Sequence, residues 1–306
     1  MKIAVFGTGG MGAFFGGKLA LAGNDVHFIA RGAHLAAMRE RGLTVTSPNG
    51  DFTVTPVQAT DKPDQIGAVD IVLFCVKLYD VESAGAALGT LLSRDTSYVV
   101  TFQNGVEVAD MLAPLIGKER ILPGAAYVSA NIVQPGVIGH VGSPGYMDFG
   151  ELDGKLSDRA QQFIDCCAGA GFEARFQPDI MASLWSKFVL VAAFSGVMGL
   201  ARAPLGIVRA DTDARGLLEA ALNEAEQVGR ALGVTLPEHT AQSIFQMANA
   251  LPHELKPSLL EDLEHGRRLE VEWLSGGVRR LGRQVGVATP VHDVIYSVLK
   301  LHADGQ

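Results

Sequence analysis

The sequence predicts an α/β protein in two parts: a doubly wound sheet domain over residues 1–178, then an all-helical domain over residues 179–306. Three observations lead there. The first 30 residues alternate strand, glycine turn, helix and strand. Apolar runs of strand length, broken only by Asp70 and Thr101, recur at residues 69–76 and 98–102, the pattern of strands covered on both faces. From about Asp179 the strand signal stops and apolar residues fall into three- and four-residue spacing. A length of 306 residues agrees with two domains, at roughly 150 residues each.

In chain order, residues 3–6 are a short apolar run entering a glycine cluster, as a buried parallel strand does. Residues 11–22 carry Phe14, Phe15, Leu19 and Leu21 and close on Gly23-Asn24, a helix with a glycine stop. Residues 26–30 form the next strand. Residues 44–47 and 52–55 flank Pro48-Asn49-Gly50, and the Asn-Gly step marks an antiparallel hairpin. Residues 127–133, 137–141 and 147–149 read as three short, glycine-bounded antiparallel strands, and 173–176 as the last strand of the first domain. In the second part, Leu217, Leu218, Ala221, Leu222, Ala225 and Val228 keep helical spacing, as do Val271, Leu274, Val278 and Leu281. Pro204, Pro237, Pro252, Pro257 and Pro290 punctuate these helices.

Composition narrows the function classes. With 48% hydrophobic and 19% charged residues the chain can bury a large core and does not read as disordered. A net charge of −8 gives no general attraction to nucleic acid or an anionic membrane, so the expected partner is a small molecule. Cys75, Cys166 and Cys167 form no C-x-x-C pair and suit a reducing compartment. No metal is expected, because the eight histidines show no ligand spacing. The N-terminal apolar run is too short for a signal peptide, and Lys, Arg, Asp or Gly interrupts every candidate membrane span, so the expected location is the cytoplasm.

Gly7, Gly9 and Gly12 form G-x-G-x-x-G between a predicted strand and a predicted helix, the fingerprint of a Rossmann-type dinucleotide site. Gly7 makes the tight turn, Gly9 lets the backbone approach a pyrophosphate, and Gly12 lets helix and strand pack closely. The intervening Thr8, Gly10 and Met11 complete the turn, whose helix N-terminus offers free N–H groups to phosphate. An NAD site normally places Asp or Glu at the end of the second strand. Here that strand ends Phe28-Ile29-Ala30-Arg31, and Arg31 suits a 2′-phosphate, which points to NADPH/NADP. Lys77, at the end of the 69–76 strand, is a second cation for the cofactor or a solvated strand-end lysine. Asn104, in Gln103-Asn104-Gly105, is placed either to hydrogen-bond the nicotinamide end or substrate, or simply to turn the chain before Gly105.

Together these motifs resemble the ketopantoate reductase (2-dehydropantoate 2-reductase) family from residue 1 to about 290. They are Gly7-Thr8-Gly9-Gly10-Met11-Gly12, Cys75-Val76-Lys77, Gln103-Asn104-Gly105, the stretch from His140 to Gly145, Leu184-Trp185-Ser186-Lys187-Phe188, and Ser258 followed by Glu270. The resemblance implies an NADPH-dependent reduction of a 2-keto acid to a 2-hydroxy acid, 2-dehydropantoate to pantoate in pantothenate biosynthesis. It implies Lys187 as general acid, Glu270 as the second catalytic group, and Ser258 as a substrate-carboxylate ligand. Read alone, Lys187 is more often a snorkelling surface lysine than a catalyst, and Ser258 is a helix cap with Glu261, a substrate ligand, or both through different atoms. The family usually carries Asn four and eight residues after the lysine. Val191 and Ser195 stand there instead; Ser195 stays a substrate-binding candidate, while Val191 leaves room for another branched 2-keto acid as substrate. The same plan would also suit a weakly catalytic NADPH-binding regulator, or a 3-hydroxyacid- or amino-acid-type dehydrogenase. Analogy alone gives a homodimer.

Overall fold

The computed structural model describes residues 1–305. Two units divide the chain: Met1–Gln103 with Glu107–Ile180, and Asn104–Val106 with the residues from Met181 onward. The first unit runs β1 (Lys2–Phe6), α1 (Gly10–Leu21), β2 (Asp25–Ile29), α2 (Gly32–Arg41), β3 (Leu43–Thr46), β4 (Phe52–Val54), β5 (Gln58–Thr60), β6 (Ile71–Phe74), α3 (Val81–Ala86), β7 (Tyr98–Thr101), α4 (Val108–Ile116), β8 (Ile121–Gln134), β9 (Val137–Phe149), α5 (Asp158–Gly169) and β10 (Glu173–Phe176).

These strands form one ten-stranded sheet in the order β4-β3-β9-β8-β7-β6-β1-β2-β5, with β10 paired to β9. From β5 through β2, β1, β6 and β7 to β8 all neighbours are parallel. β8 and β9 are antiparallel, as are β3 and β4, so the sheet is mixed. β6 and β7 are buried at every residue, which explains why their sequences are apolar without alternation. β1 has β2 on one side and β6 on the other. The strand order reverses there, and the ends of β1 and β6 flank the crevice where open α/β sheets take ligands.

One expectation is corrected. The segment read as three short strands is two long ones, β8 of 14 and β9 of 13 residues. Gly139, Gly142 and Gly145 lie inside β9 rather than ending it. At Gly145 a Cβ would come within 2.9 Å of Val128 and 3.1 Å of the Phe15 ring, so the glycine serves close packing, not a turn. Register shifts between Tyr127 and Ser129 and between Ile132 and Gln134 absorb the irregularity.

The second unit is helical: α6 (Ile180–Ala201, which begins at the unit boundary), α7 (Leu205–Ala210), α8 (Thr212–Ala231), α9 (Thr240–Met247), α10 (Ser258–Glu264), α11 (Ser275–Val285) and α12 (Pro290–Leu299). The apolar spacing read in 217–228 is the buried face of α8. Val271 and Leu274 instead sit in the turn before α11, both buried. Contrary to the expectation from its interruptions, α6, at 22 residues, is long and apolar enough to cross a membrane. Lys187, Gly196 and Gly199 interrupt the apolar run but not the helix. An all-round apolar helix of this kind is a core helix here. Gly196 packs against Ile295, Gly199 against Leu259 and Leu299, and the Trp185 indole lies over Gly229.

Candidate active site

The glycine turn is pinned before any ligand arrives. The amides of Gly7 and Thr8 both donate to the Ile29 carbonyl, at 3.3 and 3.1 Å, and the Thr8 hydroxyl adds a third bond to it at 3.0 Å. The turn after β1 is thereby tied to the end of β2. Gly7 has φ of +100°, and a Cβ there would meet the Cys75 backbone at 2.7 Å. At Gly10 a Cβ would collide with the Ala130 carbonyl, and at Gly12 with the Gly7 carbonyl. At Gly9 a Cβ would meet nothing within 4 Å, so that face of the turn is open. No side chain caps α1 and its first turn holds no acid, which leaves its leading amides directed at whatever fills that space. The residues present therefore fit a dinucleotide pyrophosphate.

The open side faces a cavity of about 240 Å³ lined by Gly7, Thr8, Gly9, Arg31, Lys77 and Asp80, among others. Gly10, Met11 and Gly12 follow as the first turn of α1. Arg31 ends the connection from β2 as the N-cap of α2, and Lys77 follows β6. Two residues of the lining carry no sequence signal of their own. Asp80 accepts a hydrogen bond from Arg31 at 3.4 Å. His34, one turn after Arg31, accepts the Gly136 amide at Nδ1 (3.0 Å), and burial holds it below the usual histidine range, so it is a neutral ring there. Burial pushes the Cys75 thiol in the same lining up to about 12, which keeps it protonated and unreactive.

The Gln103-Asn104-Gly105 step divides its labour. Gln103 is buried and donates to the carbonyls of Phe74 (2.8 Å) and Val76 (3.2 Å). It latches the end of β7 to the end of β6 and holds the approach to Lys77 in place. Asn104 is half-buried and groups with the helical unit.

In that unit Lys187 is half-buried on α6, beside Trp185 and Phe188, whose rings meet edge to face at 5.3 Å. Ser186 returns its hydroxyl to the Ala182 carbonyl (2.8 Å), so the polar group next to Lys187 is occupied within the helix. Val191 is half-buried one turn on. Ser195 is 1% exposed, and its Oγ has no hydrogen-bond partner among the described residues. A buried hydroxyl without a partner is costly, and is a feature to explain in a native chain. Glu270 lies between α10 and α11, 7% exposed. Its neighbour Glu272 is held by Arg280 (3.2 Å) and by the Tyr296 hydroxyl (2.5 Å), which makes Glu272 part of the scaffold.

Ser258 corrects a reading. It is the first residue of α10, exposed, and the cap is Pro257, whose carbonyl takes the Glu261 amide at 3.2 Å. Ser258 forms no capping box, so its hydroxyl is not used at the helix start.

A mostly parallel sheet with an anion-ready glycine turn at its switch point, followed by a helical unit, defines an α/β protein built to take a dinucleotide. Known proteins narrow this. Residues 3–154 match the family described as ketopantoate reductase PanE/ApbA, and residues 179–303 match its C-terminal counterpart. A 2-dehydropantoate 2-reductase of Mesorhizobium japonicum is 31% identical across 98% of this chain and 97% of that protein. The crystal structure of 2-dehydropantoate 2-reductase from Geobacter metallireducens has a TM-score of 0.92 at 29% identity, over 98% of this chain and 99% of the other. A D-mandelate dehydrogenase in ternary complex with NADH and anilino(oxo)acetate shares the fold at TM-score 0.90 and 22% identity, over 99% and 98%. The chain belongs to the ketopantoate reductase PanE/ApbA family and is an oxidoreductase.

Proposed function

We propose that this protein reduces a 2-keto acid to the 2-hydroxy acid with NADPH, and that 2-dehydropantoate, giving pantoate for pantothenate biosynthesis, is its first substrate. The observation that carries the reading is the cavity at the glycine turn, where Arg31 and Lys77 bring two cations to a lining whose β2 end carries no acid. The dinucleotide, when bound, supplies the hydride. Lys187 then stabilises the negative charge that develops on the keto oxygen and donates the proton to it. Glu270 holds the substrate hydroxyl and supports Lys187, Ser258 donates its unused hydroxyl to the substrate carboxylate, and Asn104 positions the nicotinamide end. The relatives at about 30% identity that are named 2-dehydropantoate 2-reductases support the choice of substrate.

One observation favours a second reading of the substrate. Val191 can neither donate nor accept a hydrogen bond, and Ser195, one turn further, has its hydroxyl unsatisfied. A site that loses a polar partner discriminates against the substrate that needed it. On this reading a branched 2-keto acid without ketopantoate's hydroxyl is the better substrate. The deciding measurement is NADPH oxidation with 2-dehydropantoate and a panel of 2-keto acids, on the natural chain and on Lys187→Ala. Turnover of 2-dehydropantoate that collapses in the variant supports the first reading, and turnover of another keto acid alone supports the second. Turnover of none would overturn both.

A further inference from the structure

Asp80 is the acid in the lining of the glycine-turn cavity. It arrives from the connection after β6, three residues beyond Lys77, rather than from the end of β2, where an acid that reads the adenosine ribose ordinarily sits. Its Oδ2 accepts a hydrogen bond from the Arg31 guanidinium at 3.4 Å. Asp80 is also the N-cap residue of α3, yet its side chain makes no cap bond. The carboxylate is thus turned to Arg31 and not used by its own helix. The pair stands at the cavity mouth, with the Arg31 side chain 69% and that of Asp80 31% exposed, so neither is locked in the core.

We propose that Asp80 sets the preference between the two nicotinamide dinucleotides; this rests on the dinucleotide reading above. Arg31 is the group suited to a 2′-phosphate, and Asp80 both occupies its guanidinium and repels a second anion brought to it. A ribose 2′-hydroxyl meets the opposite situation, because a carboxylate beside it is an acceptor. The cavity therefore holds a phosphate reader and a ribose reader side by side, and Asp80 draws the affinities for NADPH and NADH together. Lys77 adds a cation from the same connection, so the Asp80 carboxylate sets the balance of charge at this end of the cavity.

The test is equilibrium binding of NADPH and of NADH, by calorimetry, to the natural chain and to Asp80→Asn, which keeps the shape and removes the charge. Because Asp80 caps no helix end with its side chain, the change leaves the fold intact. In Asp80→Asn, NADPH should bind roughly three- to fivefold more tightly, the upper range expected for releasing one partly exposed ion pair, while NADH binds no better. Asp80→Ser should shift the ratio of the two affinities in the same direction. In an Arg31→Gln background, Asp80→Asn should give less than half that gain, since most of the effect passes through the guanidinium. A ratio that stays within about twofold in both Asp80 variants overturns the proposal while leaving dinucleotide binding standing. Failure of the natural chain to bind either dinucleotide overturns it together with the reading on which it rests.

Discussion

Glu224 and His292 meet through the backbone: the Glu224 carboxylate, on α8, accepts the amide hydrogens of Val291 (2.8 Å) and His292 (3.0 Å) in the first turn of α12. The N-cap of α12, Thr289, makes no side-chain bond, so a carboxylate from another helix does the capping. Removing it in Glu224→Ala strands two amides that have no other acceptor. The expected loss is about 2–3 kcal/mol, read as a fall in the urea midpoint, with roughly half that loss in Glu224→Gln, which keeps one acceptor oxygen. A midpoint unchanged in Glu224→Ala would show that water replaces the cap.

The His292 ring is fully buried, donates its Nε2 hydrogen to the Ala221 carbonyl (3.0 Å), and is held at about 4 by burial, against an ordinary 6.5. A histidine lowered on folding takes its proton more readily when unfolded, so stability is full above about 6.5 and falls as the pH drops from there toward 4. At pH 5 the loss from this residue should be about 2 kcal/mol. Glu224, raised by burial, works in the opposite sense, losing stability as the pH rises above the ordinary carboxylate range. His34 and His140 are also lowered and share the sign of His292. The difference between the natural chain and His292→Gln therefore isolates the residue: their stabilities should converge between pH 7 and pH 5. Parallel profiles would mean that the ring protonates without unfolding α12.

The elements legible in the sequence are those whose burial is uniform. β1, β6 and β7 are apolar because both faces are covered, and α8 is periodic because one face is. The helices α2 and α5 give no usable signal, since each buries only three residues under a polar surface. β9 is easily misread because glycine inside a strand and glycine at its end look alike until the partner, Val128 or Phe15, is known. In the same way, Gly7, Gly9, Arg31 and Lys77 can be found from strand ends and spacing, and they do converge on one cavity. Asp80 and His34 cannot, because what places them there is the three-dimensional neighbourhood of Arg31 and Gly136.

On the proposed reaction, Lys187 supplies the proton and the charge that meets the keto oxygen. Lys187→Ala should lower kcat/KM by about a thousandfold, within the range of a lost general acid, while NADPH affinity changes less than about twofold. Steady-state kinetics beside calorimetry separates the two. A large fall in NADPH affinity would move Lys187 from the reacting centre to the cofactor.

Val191 stands one helical turn from Lys187 on α6 and is half-buried. Val191→Asn adds a donor and an acceptor where an apolar side chain now sits. It should raise kcat/KM for 2-dehydropantoate about tenfold and lower it for a keto acid with a purely apolar branch. Competition between the two substrates in one reaction reads the ratio directly. An unchanged or lower kcat/KM for 2-dehydropantoate would remove Val191 as the specificity residue.

The glycines of the turn should separate folding from binding. A Cβ at Gly10 collides with the Ala130 backbone, which belongs to β8 and cannot rotate away, so Gly10→Ala must push α1 off the sheet. The expected loss is on the order of 3 kcal/mol or more, visible as a lower Tm with or without cofactor. Gly9 has φ of −80°, which alanine adopts freely, and a Cβ there meets nothing within 4 Å. Gly9→Ala should keep the natural Tm yet bind NADPH at least about tenfold more weakly, because the methyl occupies the space through which a pyrophosphate must reach the α1 amides. If Gly9→Ala bound NADPH normally, the open side of the turn would not be where the phosphates lie, and the cavity bounded by Arg31 and Lys77 would need another occupant.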